Sequence, residues 1–261
     1  MATASSHANA TAAALPLAGI DAVILAGGLG TRLRAVLPDR QKVMADIGGR
    51  PLLARLIDFY AAAGAARIVL ALGYRSDDVE DFIRRNAGHS NVTASVEPEP
   101  RGTGGALRHA LPHLGSQTVL VANGDSFADV DFARLLDLHR ARGCAITLAL
   151  THVGDVSRYG RVLFDTSGAV THFQEKPPAG AGQPNSAGYI NAGVYLIERK
   201  VIASLPFDRP LSLERDVFPQ WIGRGICALS QQVSFIDIGI PETWAIAGDF
   251  FAAIDKRRRA S

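Results

Sequence analysis

Cysteine is nearly missing from this chain of 261 residues, which has only Cys144 and Cys227. Two cysteines imply neither a disulfide framework nor a cysteine-rich metal site, and a reducing cytoplasm fits. A charge excess is missing as well. Lys and Arg number 27 against 25 Asp and Glu, for a net charge of +2, so no nucleic-acid partner is expected. No apolar stretch reaches the length of a membrane span, and no membrane partner is expected. The first 18 residues are rich in Ala, Ser and Thr. They lack the basic start and unbroken apolar segment of a signal peptide and read as a disordered tail, 1–18. The basic run Lys256–Arg259 reads as a solvated C-terminal tail, 256–261. There is no internal repeat and no long linker. What is left, 48% hydrophobic residues, suits one compact domain over residues 19–255.

Strand and helix patterns alternate through the first half. Strand-like runs are Asp21–Leu25, Arg67–Leu72, Val92–Glu97 and Thr118–Ala122. Helix-like runs are Pro51–Ala63, Ser76–Asn86, Thr103–Leu114 and Asp131–Arg142, with Ser76 and Asp131 as N-cap candidates and Pro51 in a first turn. This order predicts an α/β fold with a doubly wound, mostly parallel, Rossmann-like sheet. Its ligand belongs beyond the carboxyl ends of the strands, where the loops after Leu25, Glu97 and Ala122 gather. The second half is richer in β: Ala145–His152, Arg161–Phe164, Ala169–Gln174 and Tyr189–Leu196. Helical patterns follow at Leu213–Ile222 and Glu242–Ile254. The reading is a nucleotide-binding half, 19–143, joined to a second, β-rich half, 144–255.

The loop after the first strand, Leu25-Ala-Gly-Gly-Leu-Gly-Thr-Arg-Leu33, carries Gly27, Gly28 and Gly30. Their backbone N–H groups can approach an anion that side chains would keep away. Thr31 is followed by Arg32, a planar fork for phosphate oxygens, and Lys42 adds a second cation. The stretch is not a P-loop, which needs Gly-Lys-Ser/Thr, nor a dinucleotide fingerprint, which needs a small residue where Leu33 stands. A nucleoside triphosphate is the expected ligand.

Asp125, in Asn123-Gly-Asp125, ends a strand at the ligand rim. Asp237, flanked by Ile236 and Ile238, faces inward and needs a partner. Mg²⁺ uses one or two carboxylates plus phosphate oxygens and water, and these two aspartates are its expected ligands. Glu97 stands near Gly102-Thr-Gly-Gly105, where glycines let a base lie against backbone. A carboxylate offers only acceptors and suits guanine, which presents two adjacent donors. Lys176 could neutralise a sugar phosphate and Glu175 could hold sugar hydroxyls. Tyr159 offers an aromatic face beside Gly160. His109 and His113 have the spacing of a zinc pair, but no acid adjoins them and Pro112 disturbs the helix.

Taken together, these motifs resemble the sugar nucleotidyltransferase family, with its Leu-Ala-Gly-Gly-x-Gly-Thr-Arg-Leu signature complete at 25–33. The following Lys-Pro-Met is replaced by Lys42-Val-Met44, which keeps the charge and loses the rigidity of proline. The resemblance spans roughly residues 20–250 and is greatest to the branch of heptose 1-phosphate guanylyltransferases, through Ser157–Gly160, Asn191–Tyr195, Ser212–Pro219 and Phe235–Gly239. It implies the nucleotide-diphospho-sugar transferase fold with a β-rich sugar-binding portion, Mg²⁺ as cofactor, and transfer of GMP from GTP to a sugar 1-phosphate for surface polysaccharide (capsule or lipopolysaccharide) biosynthesis. Mannose 1-phosphate or another NTP are the alternatives within the same chemistry. Arg32 and Lys42 would be catalytic. Leu25, Gly27, Gly28, Gly30, Thr31, Glu97, Gly102, Thr103, Gly104 and Asn123 would bind nucleotide. Tyr159, Gly160, Glu175, Lys176, Asn191 and Gly193 would bind sugar phosphate, and Asp125 and Asp237 the metal. The sequence leaves room for a homo-oligomer. A Rossmann oxidoreductase would need an acid after Ala71-Leu-Gly73, where none stands before Asp77. A non-catalytic relative would have lost charges that this chain keeps.

Overall fold

A computed structural model describes residues 15–28, 41–73, 76–85, 91–157, 159–174 and 186–260. The first half runs β1 (Asp21–Leu25), a short hairpin of β2 (Asp46–Ile47) and β3 (Arg50–Pro51), α1 (Leu52–Ala62), β4 (Arg67–Leu72), α2 (Ser76–Arg85), β5 (Val92–Val96), α3 (Gly102–Ala110), β6 (Thr118–Asn123), β7 (Ser126–Ala128) and α4 (Phe132–Ala141). The second runs β8 (Ile146–Val153), β9 (Arg161–Phe164), β10 (Val170–Gln174), β11 (Gly188–Glu198), α5 (Arg199–Ser204), β12 (Ile226–Ser230), β13 (Phe235–Asp237) and α6 (Pro241–Ala260).

The central sheet is ordered β10-β9-β11-β6-β1-β4-β5, with β8 joining β11 to β12. Strands β6, β1, β4 and β5 are parallel, as the alternation predicts. Their side chains divide between two cores. Ala22, Ile24, Ile68, Leu70, Leu120 and Ala122 face one core with α1, α4 and α6. Val23, Val69, Ala71, Val119 and Val121 face the other with α3 and α5. This division is the period-2 pleat of strands buried on both faces. Asp131 caps α4 by accepting from the Arg134 N–H at 3.1 Å. The second half adds antiparallel pairing, β11 with β6 and with β8.

Three expectations need correction, and the helical pattern at Leu213–Ile222 takes a particular form. The N-terminal tail does not extend to residue 18. Leu17 is fully buried and its N–H donates to the Ala63 carbonyl at 2.9 Å. The C-terminal basic run is helical within α6: Arg258 donates to Asp129 at 2.7 Å and lies 4.5 Å from the Phe59 ring centre. The stretch 213–222 is a π-turn, Leu213–Val217, followed by a 3₁₀ turn, Phe218–Trp221, because Ser212 and Asp216 tie the segment locally and Pro219 interrupts it. Cys144 and Cys227 are joined in a disulfide. Cys227 lies on β12, parallel to β8, and Cys144 just precedes β8, so their neighbourhood follows from a strand pairing that the spacing did not reveal.

Candidate active site

The carboxyl ends of β1, β5 and β6 open onto a cavity of about 420 Å³. It is lined by Leu25, Ala26, Gly27, Gly28, Lys42, Val43, Glu97, Pro100, Gly102, Thr103, Ala106, Asn123, Asp125 and Gly239. The register makes the gathering unavoidable. Leu25 pairs with both Ala71 and Asn123, and Leu72 pairs with Val96, so the three loops leave the sheet at one level.

One wall is acidic and holds a cation. Lys42 Nζ donates to Asp125 Oδ2 at 2.7 Å and lies 4.0 Å from Asp237 Oδ1. The two aspartates meet because β13 pairs with β7, placing Asp237 opposite Ser126, and because the Ile238 N–H donates to the Asp125 carbonyl at 3.0 Å. Asp237 Oδ1 also accepts from the Gly239 N–H at 2.6 Å. Lys42 starts a 3₁₀ turn, Lys42–Met44, whose Val43 is buried; its Cγ1 lies 3.0 Å from where a Cβ on Gly124 would stand. Burial of the valine fixes the segment where the resemblance expects proline. Two carboxylates converging on one cation, at the edge of a cavity, form a donor set suited to Mg²⁺, which takes its remaining ligands from phosphate and water. Among the described residues no cluster of three or more His, Cys, Asp or Glu assembles a metal site. His109 Nε2 is engaged with the Val96 carbonyl.

The same cavity is also lined by Glu97, 7% exposed. Its Oε1 accepts from the Arg101 N–H at 3.4 Å, while Oε2 is buried and has no partner among the described residues. Burial pushes the carboxyl above its ordinary value, against the Arg101 N–H and the nearby charges of His109 and Arg101. Two glycines make room for it: a Cβ on Gly27 would come within 3.4 Å, and one on Gly73 within 3.3 Å, of Glu97 Oε1. Asn123 Oδ1 is likewise buried without a partner among the described residues. Two acceptors thus await donors in one cavity.

The remaining site candidates divide. Gly102 and Thr103 line the cavity. Thr103 Oγ1 donates to Glu214 Oε2 at 2.8 Å and accepts from the Leu213 N–H. Gly104 does not line it; its N–H donates to the Leu211 carbonyl at 2.8 Å and its missing side chain admits Leu211. Tyr159 packs edge-on to Phe235, ring centres 5.7 Å apart, outside the cavity lining, and Gly160 adjoins it. Asn191 donates to the Tyr195 hydroxyl at 2.7 Å and accepts from the Gly193 N–H at 2.9 Å. Gly193 has φ +72°, and a Cβ there would stand 2.8 Å from Ser126 Oγ and 3.0 Å from Asn123 Nδ2. Gly30, Thr31, Arg32, Glu175 and Lys176 lie outside the described residues. Sequence reasoning missed Glu214, which accepts from Thr103, Ser212 and Tyr195 and so ties α3 to β11. Its acid within Ser212–Pro219 was the available signal.

Comparison with known proteins shows what the chain is similar to. The profile described as nucleotidyl transferase matches residues 21–250. The mannose-1-phosphate guanylyltransferase of Mycobacterium tuberculosis is 36% identical over 85% of this chain, which spans 62% of that relative's length. The D-glycero-alpha-D-manno-heptose 1-phosphate guanylyltransferase of Campylobacter jejuni is 31% identical over 86% of this chain and 97% of its own. The crystal structure of HddC from Yersinia pseudotuberculosis complexed with GMP-PN matches with a TM-score of 0.78 and 36% identity, over 89% of this chain and 99% of that one.

Proposed function

The chain belongs to the nucleotidyl transferase family, and on that premise we propose that it transfers GMP from GTP to a heptose-type or 6-deoxyheptose-type 1-phosphate, giving a GDP-sugar and pyrophosphate. The single observation that carries the guanine reading is the buried Oε2 of Glu97 in the cavity wall, which has no partner among the described residues. An acceptor-only group in that position selects a base edge with two donors. The guanylyltransferase relatives and the HddC structure support the same base.

The sugar phosphate attacks the α-phosphorus of GTP, and pyrophosphate leaves in line. The attacking phosphate is already anionic, so the protein needs no general base; it aligns the reactants and stabilises charge. Gly27 and Gly28 give the triphosphate an approach free of side chains. Arg32 and Lys42 stabilise the triphosphate and the departing pyrophosphate. Asp125 and Asp237 hold Mg²⁺, which when bound supplies Lewis-acid polarisation of the phosphate. Lys176 holds the incoming phosphate and Glu175 the sugar hydroxyls, with Tyr159 and Gly160 beside them. Asn191 and Gly193 shape the wall behind Asn123. Residues 19–143 serve the nucleotide and 144–255 the sugar phosphate. Use of GTP supports a cytoplasmic reaction, which the Cys144–Cys227 disulfide does not itself favour, and the GDP-sugar product suits surface polysaccharide synthesis. No helix among the described residues is long and apolar enough to cross a membrane.

Mannose 1-phosphate is the second acceptor to test, because the M. tuberculosis relative at 36% identity is named for it. A matrix of GTP, ATP, CTP, UTP and dTTP against heptose and mannose 1-phosphates, read by pyrophosphate release, decides both substrates. A preference for any base other than guanine would sink the reading of Glu97.

A further inference from the structure

The ammonium of Lys42 touches the same two carboxylates that the proposed reaction assigns to the divalent ion, with Asp125 Oδ2 at 2.7 Å and Asp237 Oδ1 at 4.0 Å. Lys42 is only 14% exposed, and its backbone turn is pinned by buried Val43. The side chain, however, has a flexible four-carbon stem with a compact charge at its end. It lines the same cavity as Gly27 and Gly28, where the triphosphate is expected. An ammonium and a dication cannot both hold these oxygens without strong repulsion, whereas a triphosphate offers the ammonium a new anionic partner.

We propose that Lys42 is a displaceable internal counter-ion: it competes with the divalent ion for Asp125 and Asp237, and the triphosphate draws it away, so that metal and nucleotide bind with positive coupling. The inference rests on the proposed metal role of the two aspartates. It adds a second role to Lys42. The same charge that stabilises phosphate disfavours metal binding before nucleotide arrives, which keeps the aspartates from retaining an ion without substrate. Coupling of this kind is reciprocal: whatever factor the nucleotide adds to metal affinity, the metal adds to nucleotide affinity.

The sequence makes a direct test convenient. It contains four lysines, Lys42, Lys176, Lys200 and Lys256, so a ¹³Cε-lysine spectrum of the full chain has four signals, and Lys42→Arg identifies the one of interest. Two probes are titrated separately, Mg²⁺ alone and metal-free tripolyphosphate. Both should move the Lys42 signal in the wild-type protein. In parallel, free Mn²⁺ is counted by EPR without nucleotide. Lys42→Met should bind Mn²⁺ on the order of tenfold more tightly than wild type, within the usual range of coupling factors. Lys42→Arg should not show this gain. Asp125→Asn and Asp237→Asn should each weaken Mn²⁺ binding, which checks the site itself. If they do, yet Lys42→Met binds no more tightly and the wild-type Lys42 signal ignores Mg²⁺, displacement is overturned while the metal site stands. If neither Asn variant matters, the metal assignment fails and the competition falls with it. The wild-type spectrum decides the matter even if Lys42→Met does not fold.

Discussion

The nucleotide side and the sugar side of the proposed site are built differently. On the nucleotide side, parallel strands end at one level, and their loops bring Gly27, Glu97, Asn123 and Asp125 to a single cavity. Among the described residues, polar atoms there are left without partners: Glu97 Oε2 and Asn123 Oδ1. On the sugar side, Asn191 is bonded to Tyr195 and Gly193, and Tyr159 packs on Phe235. Those groups are spent on holding β11 and its neighbours in place. The difference teaches that a site made by sheet topology can leave its acceptors unsatisfied for a ligand. The rigid strands behind it, rather than the polar groups themselves, keep it in shape.

The most severe way to test this division is to remove the acidic wall. Asp125→Ala and Asp237→Ala should each lower kcat on the order of 10³-fold, since charge stabilisation of phosphate by a bound metal is worth several kcal/mol. Circular dichroism should report folded protein for both. Near-normal turnover at saturating Mg²⁺ in either variant would remove that aspartate from the metal site. Activity in the wild type should also vanish with a chelator and return with Mg²⁺ or Mn²⁺.

The base-reading wall should give a smaller, selective effect. Glu97→Gln turns one acceptor into a donor, so one guanine N–H would face another N–H. An unsatisfied buried donor costs about 1–3 kcal/mol, so the GTP/UTP ratio of kcat/KM should fall by roughly 5–150-fold. An unchanged ratio would mean that the carboxylate does not read the base.

How much of this was legible in the sequence follows from the same division. The parallel core, the glycine loop and the convergence of Leu25, Glu97 and Asn123 could be read because strand order dictates them. The pairing of Asp237 with Asp125 was legible only as motif resemblance; physically it depends on a three-residue ribbon, β7 with β13, too short to carry a periodic signal. The disulfide depends on the β8–β12 neighbourhood, a contact distant in sequence. The C-terminal basic run reads as a tail in composition, yet Phe59 and Asp129 hold Arg258 against the body. Charge counting alone cannot anticipate a tertiary partner.

The sugar side should answer mutation through stability. Gly193→Ala places a Cβ 2.8 Å from Ser126 Oγ at a φ of +72°. Both the clash and the left-handed backbone act against alanine, so the variant should lose about 1–3 kcal/mol of folding stability. Because Asn123 is the next neighbour at 3.0 Å, KM for GTP should rise as well. Urea unfolding and initial-rate kinetics check the two parts. Full stability in the variant would mean that β11 gives way freely, and the contrast between the two sides would lose its basis.

The smallest effect is the sharpest comment on the comparison, because it asks what Glu97 costs the free protein. Burial raises its carboxyl above the ordinary 4.5. A group whose folded pKa is raised contributes stability that is present below the unfolded value and lost as pH rises through the folded one. The wild-type protein should therefore lose ground to Glu97→Gln as pH rises through 4.5 and beyond, and the difference should level off once the folded carboxyl has ionised. Tm measured without nucleotide from pH 4 to pH 8 tests this directly, with Asn191→Ala as a sugar-side control that should show no such pH-dependent gap. Adding a GTP analogue should close the gap by giving the ionised carboxylate its two donors. A gap that does not grow with pH would mean that Oε2 already has a partner in solution, and Glu97 would then be as fully engaged as Asn191 is on the sugar side.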